Sequence, residues 1–182
     1  MEEEKTMTTN TNAQQIELTG FRAGDIGRIT ELHGTYYSQQ WGLGTNFEIN
    51  IAKDFAGFIE HFDSELDGAW FARVDGKTVG GIFIDGHDVA ARGSDEGRAR
   101  LRFFIIDPAY HGYGLGGRLM DAAMTFCKDK GYRHIYLTTF AGLKAARHLY
   151  DKYGFTVISE KDGLHLTGNP GFIEQVMEAH LA

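Results

Sequence analysis

His111-Gly112-Tyr113-Gly114-Leu115-Gly116-Gly117-Arg118-Leu119 carries four glycines in six consecutive positions. The stretch follows an apolar run, Leu101 to Ile106, and leads into an amphipathic pattern from Leu115 to Lys130. Glycine lets a backbone approach a ligand closely and tolerates positive φ. A helix that opens there has first-turn N–H groups without partners inside the helix. Those donors, with the positive end of the helix dipole, suit a phosphate or pyrophosphate. The expected chemistry is capture of a phosphate-bearing cofactor by main-chain groups.

Three cofactor classes compete for the loop. A P-loop ends in Gly-Lys-Ser/Thr, where the Lys and hydroxyl serve phosphate and Mg²⁺. Here Gly117 is followed by Arg118 and Leu119, so that class fails. Gly112-x-Gly114-x-x-Gly117 fits the dinucleotide fingerprint, which also needs an acidic residue about 20 residues on for the ribose. The next apolar run, Ile135 to Phe140, contains no acid, and no alternating βα units precede the loop.

The third class is coenzyme A. The stretch resembles the pyrophosphate loop of the GNAT superfamily of acyl-CoA N-acyltransferases, Gln/Arg-x-x-Gly-x-Gly/Ala. Here it reads His111-x-x-Gly114-x-Gly116, with His in the first position. The preceding Phe104-Ile-Ile-Asp-Pro-Ala-Tyr110 is similar to that family's hydrophobic-Asp-Pro-x-Tyr lead-in. Ala146-x-x-Leu149-Tyr150-x-Lys152-x-Gly154-Phe155 resembles its second signature. The resemblance covers Ile16 to about Leu181. The opening, Phe21-Arg-x-Gly-Asp-x-Gly and His33-Gly34-x-Tyr36-Tyr37, looks like the acetyltransferase half of MarR–GNAT fusion proteins.

The resemblance implies an α/β GNAT fold: a mixed, partly antiparallel sheet with helices on both faces. It implies an N-acetyltransferase that moves acetyl from acetyl-CoA directly to a bound amine. The backbone of Phe104, Ile105 and Ile106 would pair with the pantetheine arm. Residues His111, Gly112, Tyr113, Gly114, Leu115, Gly116, Gly117 and Arg118 would cradle the pyrophosphate. Tyr150 falls on the position whose phenol protonates the departing thiolate, though on residue type alone it is a core aromatic. His111 departs from the family pattern; an imidazole changes charge near neutrality, so cofactor affinity is expected to fall as pH rises. A contact-free loop His is the alternative.

Two further departures matter. Leu143 stands where the family often has Asn, a contact that Thr138, Thr139 or Lys144 could supply instead. Arg100 stands where some relatives have a basic Glu, and Arg cannot act as a base. The candidates for the general base are Glu48, His33, Asp85 and His87, with a water chain equally open. These departures motivate an alternative: a non-catalytic acyl-CoA-binding sensor or regulatory module. His33, Tyr36, Tyr37 and Trp41 cluster where aromatics could bind an amine by cation–π contact or simply fill the core. Arg98, Arg100 and Arg102 alternate, so they share one strand face. They could attract an acidic substrate or the cofactor's phosphates, or pair with Asp85, Asp95 or Glu96 on a solvated face. His61, His148, His165 and His180 show no metal-ligand spacing, and no metal is expected.

Composition sets the outer limits. At 182 residues, with 42% hydrophobic and 13% aromatic residues, the chain suits one globular domain over 15–182 behind a polar, disordered tail over 1–14. A formal charge of −7 opposes nucleic acid as a partner. No apolar run approaches the ~20 residues needed to span a bilayer, so no membrane partner is expected. The N-terminus carries no signal-peptide pattern, and a single Cys127 excludes an internal disulfide, so the expected location is cytoplasmic. Cys127 falls on the apolar face of its helix and reads as buried. The acceptor class is a small-molecule or peptide amine, and a homodimer is one option for the assembly.

The elements that must position these residues are legible. Ile16 to Arg22 reads as a strand and Asp25 opens a helix. Thr45-x-x-Glu48 has the form of a capping box at the start of a second helix. Val74-Asp75-Gly76-Lys77 reads as a two-residue hairpin turn between strands over 69–74 and 78–85. A polar loop spans 86–97. Strands at 98–107, 134–140 and 155–160 alternate with helices at 115–130 and 143–153. The last apolar set, Phe172 to Leu181, fits either a helix or a strand, and the resemblance selects the strand.

Overall fold

The computed structural model describes residues 16–87, 97–168 and 171–181. The expected tail over 1–14, and Asp95 and Glu96 in the polar loop, lie outside them. In chain order the elements are β1 (Ile16–Thr19), α1 (Asp25–Trp41), α2 (Thr45–Glu60), β2 (Gly68–Val74), β3 (Lys77–Asp85) and β4 (Arg98–Ile106). A 3₁₀ turn (Pro108–Tyr110), α3 (Leu115–Asp129), β5 (His134–Phe140), α4 (Lys144–Lys152), β6 (Thr156–Asp162), α5 (Leu164–Thr167) and β7 (Ile173–His180) follow.

The seven strands form one sheet in the order β1-β2-β3-β4-β5-β7-β6. Only β4 and β5 pair in parallel; the other neighbours are antiparallel. Parallel neighbours need a crossover, and α3 provides it. Its apolar stripe, Leu115, Leu119, Met120, Ala123 and Cys127, buries against one face of the sheet with Ile82, Ile84, Leu101 and Ile135. α4 adds Ala146, Leu149 and Tyr150 to the same side. On the other face Ile29 and Leu32 of α1 and Phe55 and Phe58 of α2 pack on Phe71, Phe83 and Ile105. This is the mixed, mostly antiparallel sheet with helices on both faces that the resemblance implies. No described helix is long and apolar enough to cross a membrane.

Local chemistry explains most of the boundaries. Asp75 and Gly76 both have positive φ, 49° and 78°, the type I′ geometry expected of this hairpin. β1 stops at Thr19 rather than Arg22 because the Arg22 N–H donates to the Asp25 carboxylate at 2.6 Å and turns the chain into α1. The C-terminal segment is the strand β7, held between β5 and β6. The capping box at Thr45 does not form. Gly44 takes the N-cap, no side chain caps α2, and Glu48 instead lies across Gly34 of α1.

Candidate functional site

Two features of β4 create the site. β4 pairs with β5 only at Arg98, Ala99 and Arg100, opposite His134, Ile135 and Tyr136. Beyond Arg100 the two strands part, leaving the β5-facing edge of residues 101–106 without a strand partner among the described residues. The second feature is a bulge. Gly81 pairs with Ile105 but Phe83 with Arg102, so one β3 residue faces two on β4. Phe103 there has φ 49°, a left-handed conformation costing a bulky residue about 1–3 kcal/mol.

The bulge inverts the side-chain alternation. Ala99 and Leu101 face the α3 side, and plain alternation would send Phe103 and Ile105 after them. Instead Phe103 joins the α1–α2 cluster, Phe104 and Ile106 face α3 and α4, and Ile105 turns back. Phe104 thereby meets Tyr150, with ring centroids 6.2 Å apart.

The glycine loop follows directly. Asp107 accepts from Ala109 N–H and caps the 3₁₀ turn. Gly114, at φ 75°, is the N-cap of α3, and no side chain caps that end. The first return bond inside α3 runs from Arg118 N–H to Gly114 O at 3.2 Å, so the N–H groups of Leu115, Gly116 and Gly117 have no helical acceptor. Gly116 permits close approach, since a Cβ there would sit 3.2 Å from Leu149 and 3.4 Å from Ile106.

A cleft of about 460 Å³ opens between this loop, the outer end of β4 and α4. Phe104, Ile105, Ile106, His111, Gly112, Gly114, Leu115 and Gly116 line it, with Leu143 and Tyr150. Unsatisfied N–H donors at one end and an apolar trough with a free strand edge along the other match what a diphosphate on a long neutral arm needs. Tyr113 is exposed and, with Gly117 and Arg118, does not line the cleft; Arg118 reaches back to the Ile16 carbonyl. His111 lines it, but its Nε2–H donates to the Ile106 carbonyl at 3.1 Å and its backbone N–H to Pro108. The free ring nitrogen, Nδ1, then offers a phosphate a donor only when the ring is protonated.

A second cavity, about 160 Å³, lies on the α1–α2 side of the same split. His33, Tyr37, Phe47, Asn50, Asp54, Arg100, Thr138 and Thr139 contribute to its wall. Phe104, Tyr37 and Tyr150 line both spaces. Tyr150 is buried, which raises its hydroxyl well above the usual phenol range, and no described residue hydrogen-bonds it. Burial raises Tyr37 likewise, reinforced by Tyr150 and Tyr36. Both phenols hold their protons at any ordinary pH.

His33 is the only one of the four proposed bases that lines this cavity. Its Nδ1–H donates to the Ile29 carbonyl at 2.9 Å, which leaves Nε2 as a lone-pair acceptor. Burial holds its pKa down at about 4. The other three lie elsewhere. Asp85 is buried in an ion pair with Arg102 at 2.7 Å. His87 lies 3.1 Å from Asp67. Glu48 is exposed, stacked on Gly34. Arg102 pairs as the sequence suggests, and Arg98 takes Glu178, a partner no local pattern reveals. Leu143, where a polar contact is expected, is an apolar N-cap of α4 buried beside Phe47 and Phe140. Tyr36, Tyr37 and Trp41 form a cluster of edge-to-face and tilted rings behind the split. Asn50 and Asp54 escape sequence reading because only the packing of α2 over β4 brings them to the cavity.

Comparison with known proteins fits this geometry. The sequence model of the Acetyltransferase (GNAT) family matches residues 27–155. An uncharacterized N-acetyltransferase of Escherichia coli, YjgM, is 34% identical over 86 residues, 47% of this chain and 49% of that protein. The chain thus spans about half the length of the curated relatives it matches. A crystal structure of a putative phosphinothricin N-acetyltransferase superposes with a TM-score of 0.71 at 18% identity, covering 92% of this chain and 99% of that one. The structure of YncA, a putative acetyltransferase from Salmonella typhimurium with its cofactor acetyl-CoA, gives 0.68 at 14% identity, covering 92% and 95%.

Proposed function

The chain belongs to the GNAT acetyltransferase family, and from that premise we propose that it transfers acetyl from acetyl-CoA to an amine. The observation that carries this reading is the position of Tyr150, in the wall shared by the cleft and the second cavity. The cleft takes the donor: the N–H groups at the start of α3 hold the pyrophosphate, and the free edge of Phe104–Ile106 pairs with the pantetheine arm. The second cavity takes the acceptor amine, a small molecule or the end of a peptide. Bound acetyl-CoA supplies an activated thioester carbonyl.

In the net exchange an N–C bond forms and a C–S bond breaks. The amine loses a proton and the departing sulfur gains one. Tyr150 holds that proton at the junction. A phenol raised by burial is a reluctant donor in water, but the same apolar surroundings raise the basicity of a thiolate leaving there. His33 Nε2 accepts a hydrogen bond from the amine. With a conjugate acid near 4 it cannot keep the proton, so water carries it away. The direct route needs no nucleophilic cysteine, and Cys127 is fully buried. The likeness of residues 21–37 to the acetyltransferase half of MarR–GNAT fusion proteins extends this proposal to a subfamily.

Calorimetry with acetyl-CoA tests the reading, comparing wild type with Gly114→Glu. Wild-type binding that the variant loses, followed by thioester turnover against an amine panel, supports it. Binding without turnover on any amine favours the sensor module instead. A folded wild type that binds no acetyl-CoA refutes it.

A further inference from the structure

A cluster of metal-ligating side chains lies at the far end of the β4–β5 pair from the split. His134 opens β5, and its register partner on β7 is His180. Glu178, two residues before His180, projects from the same face of β7. The imidazoles converge on one carboxylate oxygen: Glu178 Oε1 is 3.3 Å from His134 Nδ1 and 3.5 Å from His180 Nε2. All three ligand atoms lie within 4.8 Å of one another.

The His134 contact is a long hydrogen bond, since such bonds centre near 2.9–3.0 Å, and the His180 contact is longer still. The two imidazole–carboxylate separations fall near the edge length of a tetrahedron with bonds of about 2.0–2.1 Å, roughly 3.3–3.4 Å, as zinc takes with nitrogen and carboxylate ligands, and the two imidazole nitrogens lie within 4.8 Å of each other. The other carboxylate oxygen, Oε2, is held by Arg98, which lies across the Tyr136 ring. That pair fixes the carboxylate while leaving Oε1 turned toward both imidazoles, as an outer partner of a metal ligand does. Two imidazoles and one carboxylate select zinc-class ions over Mg²⁺ or Ca²⁺.

We infer that His134, Glu178 and His180 form a binding site for a zinc-class divalent ion that clips β7 to β5. The site stands apart from the acyl-transfer reading. Arg98 and Phe104 are six positions apart on β4, about 20 Å of strand. The ion is therefore expected to act on stability and not on transfer. The sequence expectation of no metal rests on spacing within one segment, and this triad is assembled across two strands.

The test is calorimetric titration of the full chain with Zn²⁺, beside Mg²⁺ and the variant His180→Ala. His180 is largely exposed, so that variant keeps the fold. Wild type is expected to bind one Zn²⁺, with a heat that varies with buffer because ligand deprotonation releases protons. The variant and the Mg²⁺ titration are expected to show at least a tenfold loss. Zinc at a hundredfold excess over its Kd should raise the melting temperature of wild type by about 5–10 °C. Cobalt substituted at the site should give the intense visible absorption of tetrahedral nitrogen–oxygen coordination. Failure of the wild type to bind zinc at 100 µM, or equal binding by His180→Ala, overturns the assignment.

Discussion

Replacing His33 by Asn removes a titration that the fold makes costly. His33 is buried with its pKa held at about 4 against an ordinary 6.5. As pH falls through 6.5 the unfolded chain takes up a proton that the folded chain refuses. The unfolded state then binds more protons, so stability falls with falling pH. The contribution is present above 6.5, erodes from there down to 4, and is gone below. Integrating that linkage from pH 7 to pH 5 gives a loss of about 2 kcal/mol, and carrying it below 4 gives about 3 kcal/mol. Either is a large share of a domain's typical 5–15 kcal/mol. Asp25, whose carboxyl is lowered, loses its contribution only below its ordinary 3.8, outside the pH 7 to 5 window. Asn retains an amide donor near the Nδ1 position for the Ile29 carbonyl but does not titrate. Its lost ring packing shifts stability equally at every pH. Urea unfolding of both proteins at pH 7, 6 and 5 reads the difference in slope. Equal pH slopes for wild type and variant would refute the burial of a neutral His33.

Three further outcomes are expected. Tyr150→Phe keeps the ring beside Phe104 and Phe155 but removes the proton, so turnover should fall by about 10²–10⁴ with acetyl-CoA affinity unchanged; a variant with wild-type turnover in steady-state assays removes Tyr150 from the chemistry. Burial pushes the Asp25 carboxyl up, and hydrogen bonds from Arg73, Thr78 and the Arg22 N–H, with the Arg73 charge, more than reverse this. The Arg73–Asp25 contact is bidentate, at 2.9 and 2.8 Å, and both partners are buried. Arg73→Ala should therefore cost about 3–5 kcal/mol in denaturant unfolding, and a loss below 1 kcal/mol would contradict a buried pair. The Cys127 thiol is fully buried and pushed up to about 12, so the native protein should resist a thiol reagent at pH 8 and react only on unfolding; prompt labelling of folded protein would contradict the packing of α3.

Much of the site's donor side is legible because it is local. A glycine loop between a strand and a helix leaves main-chain donors wherever it occurs, so residues 111–117 mark their own chemistry. The Asp75–Gly76 turn and the α3 stripe follow equally from backbone preference and helical period. Local patterns also mislead where tertiary contacts compete. Thr45 and Glu48 have capping-box spacing, yet Gly44 takes the cap and Glu48 packs on α1. His111 suits a phosphate by residue type, yet the Ile106 carbonyl takes its Nε2–H.

The sequence by itself determined the order of strands β1 to β6 and helices α1 to α4, the glycine loop and the apolar stripe of α3, because each depends on residues near one another in the chain. Tertiary structure alone decided three things. It placed the bulge at Phe103, since a one-residue offset in β4 is set by its pairing with β3, and that offset turns Phe104 onto Tyr150. It chose His33 over Glu48, Asp85 and His87 for the second cavity, since burial and direction follow from packing α1 on the sheet. It joined His134 to Glu178 and His180 across two strands 44 residues apart in sequence. Strand register and the surroundings of a buried charge arise between distant segments, and no window of sequence contains them.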